Sequence, residues 1–260
     1  MSQETQSASR AEETEHAVGT YVYGVVRPGV SVAVSEEEGV PEVRLIEAGD
    51  LAALVSDSPE KASREAVLSH NRVLEAALDD SPVVPFRFGF VLTDDDAVRT
   101  EVLEAHHDEL AKLLERFEGR VQFALKVYYH EDAIVADILA GEPELARLRD
   151  ETRGQPEDAT YKQRVRLGEL LNKAIEQRRQ RDGKEILDAL SPLAEAVALE
   201  GPEDELMLAN VVFLLERDRL DEFDAALEEI AAPQVKLMRF RLIGPVPAYN
   251  FIEAEGQAWG

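Results

Sequence analysis

The fold is decided by residues 196–243, AVALEGPEDELMLANVVFLLERDRLDEFDAALEEIAAPQVKLMRFRLI, which contain three strand-like runs and one helical run. The strand-like runs are rich in valine, leucine and phenylalanine, and Gly201-Pro202 separates the first two. The helical run carries apolar residues at helical spacing between acidic ones. The stretch therefore predicts two strands, a helix and a third strand, at Ala196–Leu199, Met207–Glu216, Asp218–Ala231 and Val235–Ile243.

The residues before this stretch supply one more strand and several helices. Val121 to Tyr129 has the alternation of a strand, and helical patterns follow at Glu131–Ala140 and Glu142–Asp150. A further long helix is expected to bend or end at Pro192. Without the inserted helices, residues 119–244 have the order β-α-β-β-α-β, which predicts a ferredoxin-like domain with helices on one face of a four-stranded antiparallel sheet.

Residues 20–118 are interpreted as a second α+β unit of the order β-β-β-α-β-α. Its first helix is expected to begin at Ser58-Pro59-Glu60, because serine caps helices and proline favours the first helical position. Its strands are predicted at residues 20–26, 43–47, 51–57 and 83–91. We therefore predict an α+β chain of two domains, divided into a disordered acidic leader (1–19), an N-terminal domain (20–118), the ferredoxin-like domain (119–244) and an extended tail (245–260).

The charge of the chain argues against nucleic-acid and membrane-surface binding. It carries 53 acidic residues against 28 basic ones, a net charge of −25, which repels phosphate backbones and anionic lipid. Such a surface suits concentrated salt, where self-repulsion is screened, so a salt-loving prokaryote is the expected source. The chain has no cysteine, which fits a reducing cytoplasm. No apolar stretch predicts a secretory signal or a membrane span.

The segment that follows the last predicted strand, GPVPAYNF at residues 244–251, is a candidate docking site. Its two prolines are expected to end the sheet ladder, because proline lacks a backbone donor. An extended arm would then present its two aromatic side chains on one side. Pro245, Pro247, Tyr249 and Phe251 are therefore candidate partner-binding residues. The alternative is a tail that folds back and fills a gap in the core.

A second aromatic segment, Pro85-Phe86-Arg87-Phe88-Gly89-Phe90, lies in the strand predicted at residues 83–91. Alternation would place its three phenylalanines on one face, where they are expected to join the core. Gly89 indicates a bulge or a close approach of backbone. Arg87 would lie on the other face as a forked donor for a carboxylate or a carbonyl, and it is a further partner-binding candidate.

No motif predicts catalysis, a cofactor or a metal site. His106 and His107 are neighbours on a predicted helix and point about 100° apart, so they cannot share an ion as an i, i+4 pair does. Asp94-Asp95-Asp96 is interpreted as a helix cap rather than a Mg²⁺ site. The chain has no phosphate-binding loop and no nucleophile elbow. The basic residues at 178–184 are interpreted as a solvated helix face or, alternatively, as a contact for an acidic partner or a second copy.

Four segments together resemble the GvpF/GvpL family of gas vesicle proteins. They occur in the family's order across nearly the whole chain, at Tyr21–Val26, Asp50–Ser56, Val84–Gly89 and Gly244–Phe251. The resemblance implies a cytoplasmic accessory protein without enzymatic activity or cofactor. It also implies binding to the small hydrophobic shell protein and to other accessory proteins, as an aid to assembly or as a minor vesicle component. A strongly charged partner would keep such a shell protein in solution, and strand addition is one available mode.

Two other classes of function stay open at the level of sequence. The first is a ferredoxin-like sensor of a small ligand, since such sheets often carry pockets. The second is a hydrolase whose catalytic residues follow no known motif.

Overall fold

The computed structural model describes residues 19–32, 41–58 and 63–252. Two sequence-based expectations lie largely outside these residues. They are the disordered leader, of which residues 1–18 are not described, and the end of the predicted tail, residues 253–260.

The first half of the chain forms an antiparallel sheet. Its strands are β1 (Thr20–Val26), β2 (Arg44–Ala48), β3 (Leu51–Asp57), β4 (Val84–Pro85) and β5 (Val91–Leu92). In the described residues the strand order is β2-β3-β1-β4, and β5 also pairs with β1. β2 and β3 form the predicted hairpin around Gly49, whose positive φ of 65° suits a tight turn.

The helices of the first half begin at capping side chains. α1 (Arg64–Asp80) begins after Ser63, whose side chain accepts from Ala66 N, and not at Ser58; Pro59 and Glu60 of the expected start lie outside the described residues. Asp94 caps α2 (Asp95–Ala97) by accepting from Ala97 N at 2.8 Å, which confirms the capping interpretation. The predicted second helix is irregular, since a π-helical turn at Val98–Glu104 separates α2 from α3 (His107–Phe117).

The strand predicted at residues 83–91 is wrong as a continuous element. A turn at Phe88-Gly89 separates β4 from β5, and Gly89 has a φ of 96° that favours glycine. As a result the three phenylalanines do not share a face. Phe86 and Phe90 contact each other edge to face at 5.0 Å in one apolar cluster, whereas Phe88 packs with Tyr21 in another.

The strands and helices of the second half follow the predicted order. They are β6 (Arg120–Tyr129), α4 (Glu131–Gly141), α5 (Pro143–Thr152), α6 (Glu157–Leu190), β7 (Ala196–Leu199), β8 (Met207–Glu216), α7 (Leu220–Ala231) and β9 (Met238–Val246). The four strands form an antiparallel sheet in the order β7-β8-β6-β9. β6 lies in the interior of this sheet, between β8 and β9, and β7 and β9 are its two edges.

The second sheet is covered on both faces by different parts of the chain. On β8, Val211, Phe213 and Leu215 pack in a cluster with residues of helices α4 to α7. The alternate residues Val212 and Leu214 belong to a cluster with the strands and α3 of the first half. Because strand side chains alternate between faces, the helices lie on one face and the first half packs on the other. The two halves therefore share part of one core.

Candidate functional site

The predicted docking segment continues the second sheet instead of leaving it. β9 extends past Ile243 through Pro245, and Val246 still pairs with Gln122 after a shift of register, so the expectation that the prolines end the ladder is wrong. The Gly244–Pro245 bond is cis. Gly244 has a φ of 149°, and a Cβ at this position would lie 2.7 Å from Gln122 O. Only glycine fits this close approach of two strands.

The segment then forms a helical turn rather than an extended arm. α8 (Tyr249–Ile252) begins directly after Pro247-Ala248, where Tyr249 N donates to Pro247 O at 2.8 Å. Phe251 N donates to Ala248 O at 3.1 Å. In this conformation Tyr249 and Phe251 do not share the side that an extended chain would give them, so the predicted geometry of the arm is wrong.

The turn packs into the core of the first half. Ala248, Phe251 and Ile252 are 3%, 3% and 6% exposed, and they belong to the cluster that contains residues of β1, β3 and α3. The side chain of Arg116 on α3 donates to Phe251 O at 3.3 Å. These contacts favour the alternative in which the tail fills a gap in the core.

His70 on α1 connects this turn to two other elements. Its Nδ1 lies 2.8 Å from Tyr21 Oη, and its Nε2 lies 3.1 Å from Phe86 O and 3.2 Å from Tyr249 Oη. A carbonyl oxygen can only accept, so Nε2 carries the hydrogen and Nδ1 accepts from the hydroxyl of Tyr21. The buried side chain of His70 thus connects α1 by hydrogen bonds to β1, to Phe86 after β4 and to α8.

Burial determines the protonation states of His70 and of the two tyrosines that contact it. His70 is 2% exposed, and loss of hydration lowers its pKa from 6.5 to about 4. The same cause raises the pKa of Tyr21 to about 12 and raises the pKa of Tyr249 well above its usual range. At neutral pH the three groups are therefore uncharged and are held together by neutral hydrogen bonds.

A second set of hydrogen bonds connects the turn to an interior strand of the second sheet. Gln122 on β6 is 5% exposed, and its Nε2 donates to Asn250 Oδ1 at 2.9 Å. Asn250 N donates back to Gln122 Oε1 at 3.0 Å. Asn250 Nδ2 also reaches Glu200 Oε1 at 2.6 Å. The side-chain amide of Gln122 thus connects β6 directly to α8.

The five partner-binding candidates are placed unequally. Pro247 and Phe251 are buried, and Tyr249 is half-buried, whereas Pro245 and Arg87 are exposed. Arg87 follows Phe86, whose carbonyl oxygen contacts His70. Because Tyr249 of α8 also contacts His70, the residues after β4 and α8 meet at this histidine. Sequence reasoning missed His70 and Gln122. The spacing of His70 from Val73, Leu74 and Ala77 on α1 could have placed it on the buried face.

The residues considered as metal ligands make other contacts. His107 Nε2 lies 2.6 Å from Asp50 Oδ1, and this hydrogen bond raises the pKa of His107 and lowers the pKa of Asp50. His106 lies at the start of α3, 3.8 Å from Glu109. The described residues contain no group of three or more potential metal ligands.

Over the same residues, no helix has the length and apolarity that crossing a membrane requires.

In the basic patch of α6, the cations pair with acids of the same and neighbouring helices. Arg178 contacts Asp182, which is 5% exposed and also accepts from Tyr129, and Arg178 reaches Asp137 on α4. Arg179 pairs with Glu176 one turn earlier on the same helix. The patch therefore joins α6 to α4 and β6 as well as facing solvent.

These features describe an α+β protein in which residues 248–252 contact both sheets. Comparison with known sequences identifies the family: the model for gas vesicle synthesis protein GvpL/GvpF matches residues 19–253. The chain belongs to the GvpL/GvpF family, and the resemblance drawn from its sequence is confirmed. The family is one of gas vesicle proteins and not of enzymes.

Individual relatives agree with this assignment over nearly their whole length. The chain is 36% identical to gas vesicle protein F of a Streptomyces species, over 91% of this chain and 100% of that protein. It is 28% identical to gas vesicle protein L of the same organism, over 89% and 91%. Gas vesicle protein F2 of Halobacterium salinarum is 26% identical over 90% and 91%.

Two crystal structures have the same fold. GvpF from Anabaena sp. PCC7120 superposes with a TM-score of 0.76 at 23% identity, over 91% of this chain and 98% of that one. GvpF from Microcystis aeruginosa superposes with a TM-score of 0.70 at 22% identity, over 91% and 99%. The α+β architecture predicted from the sequence is therefore confirmed.

Proposed function

We propose that this chain takes part in gas vesicle formation by binding the hydrophobic shell protein and other accessory proteins. The observation that carries the proposal is membership of the GvpL/GvpF family along the described length of the chain. The net charge of −25 supports it, because a strongly hydrated partner opposes the aggregation of an apolar one. A separate sensor or hydrolase function has no observation in its favour among the described residues.

We also infer that the second half is a ferredoxin-like unit. The strand order β7-β8-β6-β9, with every pair antiparallel, supports this inference. In this order β8 lies between β6 and β7, as the inserted strand of a split βαβ unit does. The boundary near residue 118 between an N-terminal and a C-terminal domain, and the separate tail from residue 245, stay proposals. The shared core and the packing of α8 argue against an independent tail.

Partner contact through Pro245, Pro247, Tyr249, Phe251 and Arg87 likewise stays a proposal. The exposed pair, Pro245 and Arg87, can meet a partner on the folded chain. The buried residues can do so only if α8 leaves the core. Location in the cytoplasm at the gas vesicle is proposed from the family, and a salt-loving source from the charge.

Co-expression tests the proposed function. The full chain with an affinity tag is produced together with the shell protein of its own organism, and the shell protein in the soluble and co-purified fractions is measured. An unrelated acidic protein of similar size and net charge is the matched control. We expect the shell protein to co-purify with the chain and not with the control. Equal amounts with both proteins would mean that charge alone keeps the shell protein in solution, and the proposal would fail.

A further inference from the structure

The second sheet has one long open edge. Among the described strands β9, which has nine residues (Met238–Val246), pairs only with β6, and α1 approaches part of β9. The opposite edge, β7, has only four residues. A long row of unpaired backbone groups is a template for a further strand.

The register shows which backbone groups of β9 face outward. His130 N donates to Leu237 O, so residues 239 and 241, which stand opposite Tyr128 and Lys126, direct their backbone groups toward β6. Since these groups alternate along a strand, the N–H and C=O groups of Met238, Phe240 and Leu242 point to the open side.

An apolar groove runs alongside this edge, between β9 and α7. It has a volume of about 440 Å³, and its apolar lining comes from Leu227, Ala231, Val235, Met238, Phe240 and Leu242. Val235 at its rim is 65% exposed, a large exposed fraction for an apolar side chain. His130, Glu228 and Arg239 add polar groups to the walls. We call the open edge and this groove together the β9 groove.

The charge of the residues on and around β9 indicates which kind of segment the β9 groove binds. Residues 235–252 contain Lys236, Arg239 and Arg241 and no acid, in a chain with a net charge of −25. All three cations are exposed, and the guanidinium of Arg239 lies over the ring of Tyr128, 4.8 Å from its centroid. Two copies of β9 paired with each other would bring these cations together, which is unfavourable. The charge therefore favours a different chain that carries carboxylates.

We propose that the β9 groove binds an extended apolar segment of the shell protein as an additional strand, with carboxylates of that segment near Lys236, Arg239 and Arg241. This inference rests on the proposed function and gives it a surface. The strand's backbone would pair with Phe240 and Leu242, and one row of its side chains would enter the groove. Pairing of this kind satisfies the polar backbone of an aggregation-prone segment while its apolar side chains are covered.

Site-directed photo-crosslinking tests the inference. Because the chain has no cysteine, Val235→Cys and Leu199→Cys each give a single site for a benzophenone maleimide. The two side chains are matched in exposure, at 65% and 68%, but Leu199 lies on the opposite edge strand. With co-expressed shell protein, we expect about tenfold more crosslinked product from position 235. Equal crosslinking, or capture of the shell protein without a crosslink from position 235, would overturn the inference and leave the proposed function intact.

A pair of substitutions tests strand addition itself. Leu242→Ala shortens the side chain and keeps the outward N–H, whereas Leu242→Pro also removes that N–H at a position where an edge strand tolerates proline. We expect the proline variant to bind the shell protein about fivefold more weakly than the alanine variant, the effect of about one backbone hydrogen bond. Circular dichroism confirms that both variants fold. Equal binding by two folded variants would exclude backbone pairing. Loss of capture in the unmodified chain would instead refute the proposed function and this inference together.

Discussion

Gln122 and Asn250 bind each other through two hydrogen bonds, of 2.9 and 3.0 Å, across 128 positions of the chain. One residue lies on a strand in the interior of the second sheet and the other in the turn that enters the core of the first half. A buried amide without its partner costs about 1–3 kcal/mol. The pair therefore stabilises the junction of the two halves, and its removal can be measured.

We expect Gln122→Ala and Asn250→Ala each to lower the free energy of unfolding by about 1–3 kcal/mol. The double variant should lose less than the total of the single losses, because the two residues share the same bonds. Urea denaturation of the four chains gives these values. Asn210→Ala, which removes a hydrogen bond to Gly201 O near the surface, is the control and should cost less. Strict additivity of the two substitutions would show that the pair is not coupled.

Phe251→Ala separates the filled core from a docking role. Phe251 is 3% exposed, so truncation should lower the free energy of unfolding by about 3–5 kcal/mol. Tyr249→Phe removes only a hydroxyl and should cost about 1 kcal/mol. The denaturation midpoint and the capture of shell protein are measured on the same samples, with Leu199→Ala at an exposed position as control. A midpoint unchanged by Phe251→Ala together with lost capture would restore the docking role predicted from the sequence.

His70 should make stability depend on pH in a defined window. Its pKa falls from 6.5 in the unfolded chain to about 4 in the folded one, so the unfolded chain binds the extra proton first. The stabilisation is complete above pH 6.5 and is lost as the pH falls toward 4, by roughly 3 kcal/mol in total. Urea denaturation between pH 7 and pH 4 should show a smaller loss for His70→Gln. Exposed His130→Gln controls for the chemical change. An equal loss in the His70 variant and the unmodified chain would remove His70 as the cause.

Salt should raise stability if the chain is adapted to a saline cytoplasm. With a net charge of −25, self-repulsion acts over about 30 Å at 0.01 M salt and only about 3 Å at 1 M. We expect a higher thermal midpoint in 1 M than in 0.01 M potassium chloride, as measured by circular dichroism. The relatives come from Streptomyces and cyanobacteria as well as from haloarchaea, so this measurement is informative. Equal midpoints would contradict the halophilic source.

The sequence predicted the second half well because its patterns are long. β6 and β8 have ten residues each, and α6 has 34, so their periods outweigh local exceptions. The prediction of one strand at residues 83–91 is wrong, because the alternation of its phenylalanines is compatible both with one strand and with two short strands around Gly89. The same ambiguity affected Tyr249 and Phe251. Their helical turn is held by contacts with Arg116 and His70, which sequence spacing does not reveal.

The packing of α8 has a consequence for the order of folding during synthesis. The first half leaves the ribosome about 130 residues before Ala248, Phe251 and Ile252, yet these three residues belong to its apolar cluster. Until they emerge, the nascent first half exposes an unfilled apolar site, and the register of β9 beside Gln122 is not yet fixed. The N-terminal half therefore reaches its native packing only after residues 248–252 have left the ribosome.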